Sequence, residues 1–258
     1  GEIWGYRVGG LFRTDEEAAA YANEVDCSLL TKRIDATSTR KGLHAGDMKF
    51  LDIDGDNKIT TGKNTVDDPG DRTVIGNSLP RYSYSFGADF NWYGVDFAIL
   101  FQGVGRRHWY PGTGEANLFW GPYCRPHNTF LSQQLVDQIW SEDNPDAYFP
   151  FPRGYEAYTG NQSQDRTLTV ANDRYLQNVA YLRLKNITVG YTLPCLKKYL
   201  EQIRIYFSGE NLAYWSPMKK HNKYIDPEAA VSGSSYKDNS GEVYNFSKVF
   251  TFGIDITF

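Results

Sequence analysis

The last nine residues of the chain alternate strictly between apolar and polar side chains. Residues 250–258 read FTFGIDITF, with an apolar side chain at every second position. Successive side chains of a strand point to opposite faces, so this run predicts a strand that is apolar on one face only. A transmembrane barrel strand needs ~9–11 residues with this alternation, and the run fits that length. A buried last strand of a soluble β-domain is the alternative.

The same alternation predicts a hairpin earlier in the chain. Residues 81–92 and 95–104 each carry apolar, mainly aromatic side chains on one face and Ser, Asp, Asn or Gln on the other. Tyr93 and Gly94 join the two runs as a tight turn. Tyr82 and Trp92 lie at the strand ends, where membrane proteins concentrate aromatic side chains at the lipid–water interface.

Two further strands are predicted at 180–191 and 202–213, and the last strand is placed at 246–258. In the first of these, the apolar positions change parity near Lys185 and Asn186. A β-bulge at this point would keep a single apolar face. The alternative places Arg183 and Lys185 outward, at the level of lipid headgroups, and the pattern leaves both interpretations open.

Short and long connectors alternate between the five predicted strands. The links at 93–94 and 192–202 are short, whereas those at 103–178 and 216–242 are long and contain no predicted strand. Outer-membrane barrels have short periplasmic turns and long extracellular loops. The pattern predicts an all-β fold, with antiparallel strands of a transmembrane β-barrel in 81–258. Residues 1–80 are predicted to form an extracellular loop region.

Short helices are predicted within the loops. Thr14 is placed to cap a helix at 15–23, and Glu17 completes a capping box with it. Leu131, Leu135 and Ile139 share one face of a second helix, which ends before the Asn144–Pro145 pair.

Composition excludes several classes of protein. The mean hydropathy is -0.53 and no apolar run approaches the ~20 residues of a transmembrane helix, which excludes a helical membrane protein. The net charge of -4 argues against a nucleic-acid partner. The chain has 3 cysteines and no C-x-x-C pair. A disulfide between Cys27 and Cys124 and a set of free thiols both remain open.

Residues 52–63 follow part of the pattern of a calcium-binding loop. Carboxylates occupy positions 1, 3 and 5, and position 7 can offer a backbone carbonyl: Asp52, Asp54, Asp56 and Lys58. Position 12 is Lys63 where such loops have Glu, so a later carboxylate would have to complete the site. The three candidates are Asp67, Asp68 and Asp71. The pattern predicts a Ca²⁺ site, and a solvated acidic turn is the alternative.

Aromatic residues in the connectors are candidates for binding a sugar, because aromatic faces stack on sugar rings. The candidates are Trp109, Trp120, Tyr123 and Trp215. The alternative is that these rings pack the loops together. Motifs of a nucleophile elbow, a phosphate loop or an HExxH zinc site are missing from the sequence, so we predict that the chain is not an enzyme.

Seven segments, taken in order, resemble the carboxy-terminal part of the SusC/RagA family of TonB-dependent outer-membrane transporters. They span nearly the whole chain: GDMKFLDIDGDNKIT, DRTVIGNSLPRYSYSFGADFNWYGVDFAILFQGVG, IWSEDNPDAYFP, YLRLKNITVGYTLP, IRIYFSGENLAYWS, YIDPEA and FGIDITF. The spacing of Gly253, Ile256 and Phe258 also resembles the terminal signal by which outer-membrane barrels are recognised for assembly.

The resemblance implies a large plugged barrel of about 22 strands in the bacterial outer membrane. It also implies TonB-driven import of oligosaccharides or peptides and a SusD-like surface lipoprotein as partner. The plug, the earlier strands and the segment that contacts TonB would precede Gly1. Five strands cannot close a barrel, so the chain is expected to be part of a longer folding unit. A soluble β-rich carbohydrate-binding module with a calcium turn is the alternative function.

Overall fold

The computed structural model describes most of the chain. The described residues are 1–30, 43–111, 118–123, 132–152, 167–168, 170–194, 200–230 and 246–258. The strands are β1 (Glu2–Tyr6), β2 (Val8–Leu11), β3 (Met48–Phe50), β4 (Arg72–Asn77), β5 (Tyr82–Trp92), β6 (Val95–Gly105), β7 (His108–Trp109), β8 (Gln177–Asn178), β9 (Tyr181–Leu193), β10 (Gln202–Trp215) and β11 (Val249–Thr257). The helices are α1 (Asp15–Glu24), α2 (Gln133–Val136) and two 3-10 helices, Leu118–Tyr123 and Pro217–Lys220.

The main element is a five-stranded antiparallel sheet with the order β5-β6-β9-β10-β11. Each of the five strands predicted from the alternation overlaps one strand of this sheet. The mainly β content confirms the all-β prediction for the described residues. The sheet remains open, with β5 and β11 at its two edges, so these strands alone do not close a barrel.

The hairpin of β5 and β6 has the predicted two-residue turn. Trp92 pairs with Val95, and the turn residues Tyr93 and Gly94 both have positive φ, 48° and 83°. Positive φ at both central positions defines a type I′ turn, which matches the right-handed twist of the flanking strands. Asn or Asp usually occupies the first position, so Tyr93 adopts a conformation that is uncommon for its residue type.

The parity change in β9 is a bulge at Lys185. On β6, Leu100 pairs with Asn186 whereas Phe101 pairs with Leu184, so Lys185 has no partner in the register. The bulge keeps the apolar side chains of β9 on one face. The alternative, with Arg183 at the level of lipid headgroups, is wrong: its side chain is buried on the other face of the sheet.

Both long connectors leave the same end of the sheet. Val104 near the end of β6 pairs with Tyr181 at the start of β9, and Glu210 near the end of β10 pairs with Val249 at the start of β11. The short links lie at the opposite end, where Thr192 N donates to Gly94 O at 2.7 Å. This is the arrangement of tight turns and long loops that the sequence predicts.

The buried core lies in the connectors and not in the sheet. Every residue of β5 is exposed, and so are eight of the nine in β11. The core residues come almost entirely from other segments, among them Phe12, Phe50, Ile59, Trp109, Phe119, Trp120, Phe149, Tyr175 and Ile225. Because burial rather than local propensity provides most of the stability of short elements, this core holds the irregular segments in place.

Residues 1–80 are more structured than the predicted loop region. β1 pairs with β4, and β2 pairs with β3, both antiparallel. The connector at 103–178 likewise contains the short pair β7 and β8. Strands of two to six residues are too short to show a clear alternation, which is why the pattern missed them. The assignment of these regions to the extracellular side remains a prediction.

Helix α1 begins where predicted, with Thr14 as its N-cap. Thr14 Oγ1 accepts a hydrogen bond from Glu17 N at 3.2 Å, and the Glu17 carboxylate accepts one from Arg13 N at 2.9 Å. The capping box therefore closes on the residue before the cap. In the described part of the chain, the second predicted helix is the single turn α2, capped by Ser132, and the predicted helix residue Leu131 lies outside the described residues. Among the described residues, helices that could span a membrane are not found.

Candidate functional site

One face of the five-stranded sheet is continuously apolar, and we call it the outer face. The opposite, polar face is the inner face. One row crosses all five strands in register: Phe90, Phe97, Val189, Phe207 and Phe252. Ring centroids of the pairs Phe90–Phe97 and Phe207–Phe252 are 5.1 and 5.0 Å apart. Phe252 is nevertheless 80% exposed, because the described residues do not cover its ring on this face. Soluble monomers rarely expose large contiguous apolar patches.

Aromatic side chains lie at both ends of this outer face. At the turn end are Trp92, Tyr93 and Tyr191, and at the loop end are Tyr82, Tyr84 and Trp215. Trp and Tyr form girdles at both lipid–water interfaces of barrel proteins, because the ring is apolar and its polar atom reaches water. The outer face therefore has the chemistry of a membrane-spanning surface.

The inner face of the same strands is polar and carries a three-residue ion pair. The Arg204 guanidinium donates to both carboxylate oxygens of Asp96, at 2.9 and 2.6 Å, and to Asp255 at 3.1 Å. Gly190 lies between the strands that carry these groups, and a Cβ there would be 2.4 Å from the Asp96 carboxylate. The glycine therefore makes room for an ion pair that ties β6, β10 and β11 together.

A second ionic cluster fastens a loop segment to the loop end of the inner face. Arg183 is only 1% exposed, and its guanidinium pairs with Asp226. Lys185 pairs with Glu228 at 2.9 Å. The Arg183 guanidinium also lies 4.9 Å from the centroid of the Tyr214 ring. A buried charge is stable only when it is paired, so the segment around Asp226 must stay docked on the sheet.

The acidic loop brings together three carboxylates, and one of them differs from the predicted set. An oxygen from each of Asp52, Asp54 and Asp71 lies within 4.8 Å of the others. Asp71 is one of the three residues named as able to complete the site. Asp56 lies outside this group, and its carboxylate accepts a hydrogen bond from Lys58 N at 2.8 Å. Carboxylate oxygens at this spacing are the ligands that Ca²⁺ prefers.

The backbone of the acidic loop has the tight turns that the aspartate spacing requires. Asp52 accepts hydrogen bonds from Gly55 N at 2.7 Å and Asn57 N at 2.8 Å. Gly55 and Asn57 have positive φ, 79° and 60°, and Asn tolerates this region better than most residues. Ile59 N donates to Asp26 O at 2.9 Å, so the loop is anchored at its far end.

Asp71 joins the two halves of the acidic loop. It is fully buried, and its two carboxylate oxygens accept from Ile53 N and Thr60 N, both at 2.7 Å. A carboxylate that accepts hydrogen bonds from the backbone on both sides of the loop ties its two halves together.

Electrostatics differ among the three carboxylates. The Asp56 N–H hydrogen bond lowers the pKa of Asp54, but partial desolvation and the neighbouring carboxylates, Asp71 among them, outweigh it and raise the pKa above its usual value. Partial desolvation raises the pKa of Asp52, but hydrogen bonds from backbone N–H groups, such as that of Gly55, outweigh it and lower the pKa. Crowded negative charge around Asp54 is what a bound cation would relieve, so the residues present fit Ca²⁺.

The predicted sugar-binding rings divide into two groups. Trp109, Trp120 and Tyr123 are all 0% exposed, and Tyr123 Oη donates to Pro150 O at 2.6 Å. Their faces pack on other rings, such as that of Phe119, whose centroid is 4.8 Å from that of Trp120. A sugar cannot reach these faces in this arrangement, so the packing alternative describes these three. Burial also raises the pKa of Tyr123 well above its usual value.

Trp215 differs from the other three because it is 55% exposed. It pairs with Leu182 on the outer face of the sheet, at the loop end. This position belongs to the aromatic girdle and not to the polar inner face.

The proposed assembly residues lie along β11 and just after it. Gly253 is on the inner face, where a Cβ would be 2.3 Å from the Tyr206 ring, so the ring covers the glycine. Ile256 pairs with Ile203 on the outer face, and Phe258 follows the strand and is exposed. A role for these residues in assembly remains a prediction. Of the two predicted disulfide partners, Cys27 is a buried free thiol and Cys124 lies outside the described residues.

The sequence pattern did not predict the ion pairs of either cluster. Asp96 and Arg204 are 108 positions apart, and Arg183 and Asp226 are 43 apart. Pairing over such distances depends on the sheet order, which alternation alone does not fix. The available signal was that Asp96, Arg183 and Arg204 occupy polar positions in the alternating pattern of their strands.

No family model matches the chain. It is 26% identical to TonB-dependent receptor P26 of Formosa agariphila over 88% of its own length and 21% of that protein. It is 25% identical to TonB-dependent receptor P3 of the same organism, over 81% of the chain and 19% of that protein. The chain therefore spans about a fifth of the length of these curated relatives.

Solved structures show the same fold. All of the chain superimposes on 22% of a chain in the RagAB peptide importer in its open-open state, with a TM-score of 0.55 and 18% identity. The closed-closed state gives a TM-score of 0.54 over 23% of the matched chain. These relatives are named as receptors and importers, which agrees with the prediction that the chain is not an enzyme. The comparisons confirm the predicted resemblance to the carboxy-terminal part of the SusC/RagA-like TonB-dependent transporters, and with it the location in the bacterial outer membrane.

Proposed function

We propose that the chain forms barrel wall and extracellular loops of a TonB-dependent outer-membrane importer. The observation that carries the proposal is the sheet with one continuously apolar face and one polar face, bounded by aromatic girdles. Lipid covers the apolar face, and the polar face lines the lumen. A soluble carbohydrate-binding module, the alternative, would leave this whole face in water.

Other strands of the same protein complete the barrel. β5 and β11 each have one unpaired edge in the described sheet. In hydrocarbon each unpaired backbone group costs several kcal/mol, so only a closed sheet is stable there. We therefore assign the neighbours of both edges to the remainder of the transporter, which also supplies the plug and the contact with TonB.

For the cargo we propose an oligosaccharide or a peptide. The polar inner face offers carboxylates, guanidinium and hydroxyl groups, which can bind either class by hydrogen bonds. The solved structures with this fold are named as a peptide importer, and that name describes those proteins. We place a SusD-like surface lipoprotein at the loop end, where it can deliver the cargo.

Uptake assays test the import proposal. Cells that express the complete transporter are given labelled oligosaccharides or labelled peptides, with the tonB gene intact or deleted. We expect uptake of one class, and we expect the tonB deletion to abolish it. Uptake that is independent of TonB would indicate a passive porin. A carboxy-terminal region that is soluble without detergent would favour the carbohydrate-binding module.

We also propose that the acidic loop binds Ca²⁺ through Asp52, Asp54 and Asp71. The proximity of their oxygens and the raised pKa of Asp54 support this proposal. A role for the Lys58 carbonyl as a further ligand remains part of it. Bound calcium would fix the loop between β3 and β4, next to the segment of β1.

A further inference from the structure

A pocket of about 460 Å³ lies beyond the loop end of β5 and β6, beside strand β4. Its size is within the range of ~300–1,000 Å³ that is typical of ligand pockets. Arg81 and Arg106 both line it, and they flank the first register pair of the hairpin, Tyr82 with Gly105. The pairing of β5 with β6 therefore brings together two arginines that are distant in the sequence.

The two guanidinium groups have no partner in the part of the chain that the structure describes. There, the side chains of Arg81 and Arg106 form neither an ion pair nor a hydrogen bond. Of the described residues that line the pocket, only Glu2 carries a carboxylate, and this carboxylate accepts a hydrogen bond from Trp4 Nε1 at 3.1 Å. Two positive charges therefore face one negative charge, and a bound anion would relieve the repulsion between the arginines.

His108 adds a neutral hydrogen-bond donor to the pocket. Its Nδ1 accepts a hydrogen bond from Asn77 N at 3.3 Å, so the neutral ring carries its proton on Nε2. Burial, followed by the positive charge of Arg106, lowers the pKa of His108 and keeps the ring neutral at pH 7. The pocket lining therefore supplies an imidazole N–H besides the two guanidinium groups.

Arg106 has an uncommon backbone conformation. Its φ is 51°, in the left-handed region that residues other than glycine seldom adopt. It follows Gly105 at the point where the chain leaves β6 and continues to His108. A glycine would fit this turn without strain, so the turn alone does not explain an arginine here. Strained residues of this kind cluster at functional sites.

We infer that this pocket binds a carboxylate of the cargo. A carboxylate accepts two parallel hydrogen bonds from a guanidinium group, whose planar fork matches its geometry. The carboxylate can belong to a peptide or to a uronic acid in an oligosaccharide. The inference rests on the proposed function, because it requires the loop end of the hairpin to face the arriving cargo. It adds a negative charge to the description of that cargo.

Equilibrium binding to the complete transporter in detergent tests the pocket. One pair of probes is a neutral tetrapeptide with a free or an amidated carboxyl terminus, and the other is a trimer of galacturonic acid as the free acid or the methyl ester. All four carry the same uncharged fluorophore. We expect the charged probe of at least one pair to bind about tenfold more tightly than its neutral form, the factor of one hydrogen bond to a charged group. The pair that shows this preference identifies the source of the carboxylate.

Variants of the two arginines separate binding from folding. Arg106→Gly removes the guanidinium and relieves the backbone strain, so it should keep the thermal stability of the transporter. We expect it to lose the preference for the charged probe, and we expect Arg81→Gln to reduce that preference. Arg13→Gln is the matched control, because Arg13 does not line the pocket and pairs with Asp146 at 2.6 Å on the surface. It should bind every probe as the wild type does.

Three results would overturn the inference. They are equal affinity within both pairs of probes, equal losses in Arg106→Gly and Arg13→Gln, and a lower thermal stability of Arg106→Gly with its charge preference unchanged. The third would show that an acidic side chain from the remainder of the transporter occupies the pocket. Uptake of the same probes is measured in cells with and without tonB. TonB-dependent uptake without a preference for the charged probe removes only the pocket, whereas uptake that does not depend on TonB removes the proposed function as well.

Discussion

At the scale of single residues, Asp71 shows how far spacing predicts a site. The alternating aspartates identified the loop, but Asp71 is separated from Asp54 by 17 positions and joins the group only through the fold. The sequence could name it as one of three candidates and could not choose. In the structure Asp71 is the residue that joins the group, because its carboxylate accepts hydrogen bonds from the backbone at both Ile53 and Thr60.

Calcium removal is the first test at this scale. In the complete transporter, chelation should increase hydrogen exchange across residues 46–71, because the repulsion among Asp52, Asp54 and Asp71 is no longer neutralised. Asp54→Ala should give the same increase with calcium present. Asp56→Ala is the control and should keep most of the calcium effect, since Asp56 is outside the group. Calorimetry that detects no Ca²⁺ binding below millimolar concentration would reduce the site to an acidic turn.

His221 predicts a pH dependence of the loop packing. Its ring stacks on that of Tyr148 with centroids 3.6 Å apart, and Nδ1 lies 2.8 Å from the Gln138 side chain. Desolvation, followed by the positive charges of Lys220 and Arg174, lowers the pKa of His221 to about 4. The unfolded value is ~6.5, so below that pH the unfolded segment binds more protons than the folded one.

The stabilisation from neutral His221 is therefore complete above pH ~6.5 and is lost as the pH falls towards its folded pKa. We expect hydrogen exchange of residues 217–222 to rise over this range, after correction for the intrinsic rate. His221→Gln can keep the hydrogen bond to Gln138 without titrating, and it should remove the rise. A rise of the same size in both proteins would exclude His221 as its cause.

At the scale of elements, the opposite faces of β6 can be tested with adjacent residues. Ile99→Arg places a charge on the outer face near the middle of β6, where Ile99 pairs with Ala88 and Ile187, and should cost ~2–4 kcal/mol of stability in the complete barrel. Ala98→Arg is the matched control, because Ala98 is on the inner face and pairs with Asp89. Unfolding by denaturant in lipid vesicles measures both changes. Equal losses would contradict the assignment of the faces.

The five long strands were predictable because each repeats its alternation over nine or more residues. The bulge at Lys185 was also visible, as a change of parity between Leu184 and Ile187. The short strands β1–β4 were not, because burial in the loop core stabilises them more than their own pattern does. The role of Gly190 was hidden for the same reason: the space it leaves is used by Asp96 and Arg204 from other strands.

At the scale of the whole molecule, the five-stranded sheet and the buried core are separate parts of the fold. The core residues come almost entirely from segments outside the sheet. The proposed function requires lipid and further strands to cover the exposed sheet, whereas the loop region buries its own aromatic side chains. The alternating pattern predicted the sheet well, because each side chain of a strand can point to only one of two faces. The aromatic core was beyond prediction, because the same Trp and Tyr residues suit sugar stacking and packing equally.

Expression of residues 1–258 alone is the test at this scale. We expect the isolated chain to aggregate in buffer, because β5 and β11 expose unpaired edges and the outer face exposes aromatic side chains. Analytical ultracentrifugation and thermal melting measure this. A soluble monomer that melts cooperatively without detergent would contradict the barrel assignment.

The proposed barrel wall requires that one face of the sheet contacts lipid and the other contacts water. Nitroxide labels on single cysteines at Ser85, Phe86, Asp89 and Phe90 of β5 test it directly, in the complete transporter reconstituted in lipid with its native cysteines replaced. We predict that labels at Phe86 and Phe90 collide mainly with oxygen dissolved in lipid, and that labels at Ser85 and Asp89 collide mainly with a water-soluble nickel chelate or with neither reagent. Equal accessibility at all four positions, or the reverse alternation, would contradict it.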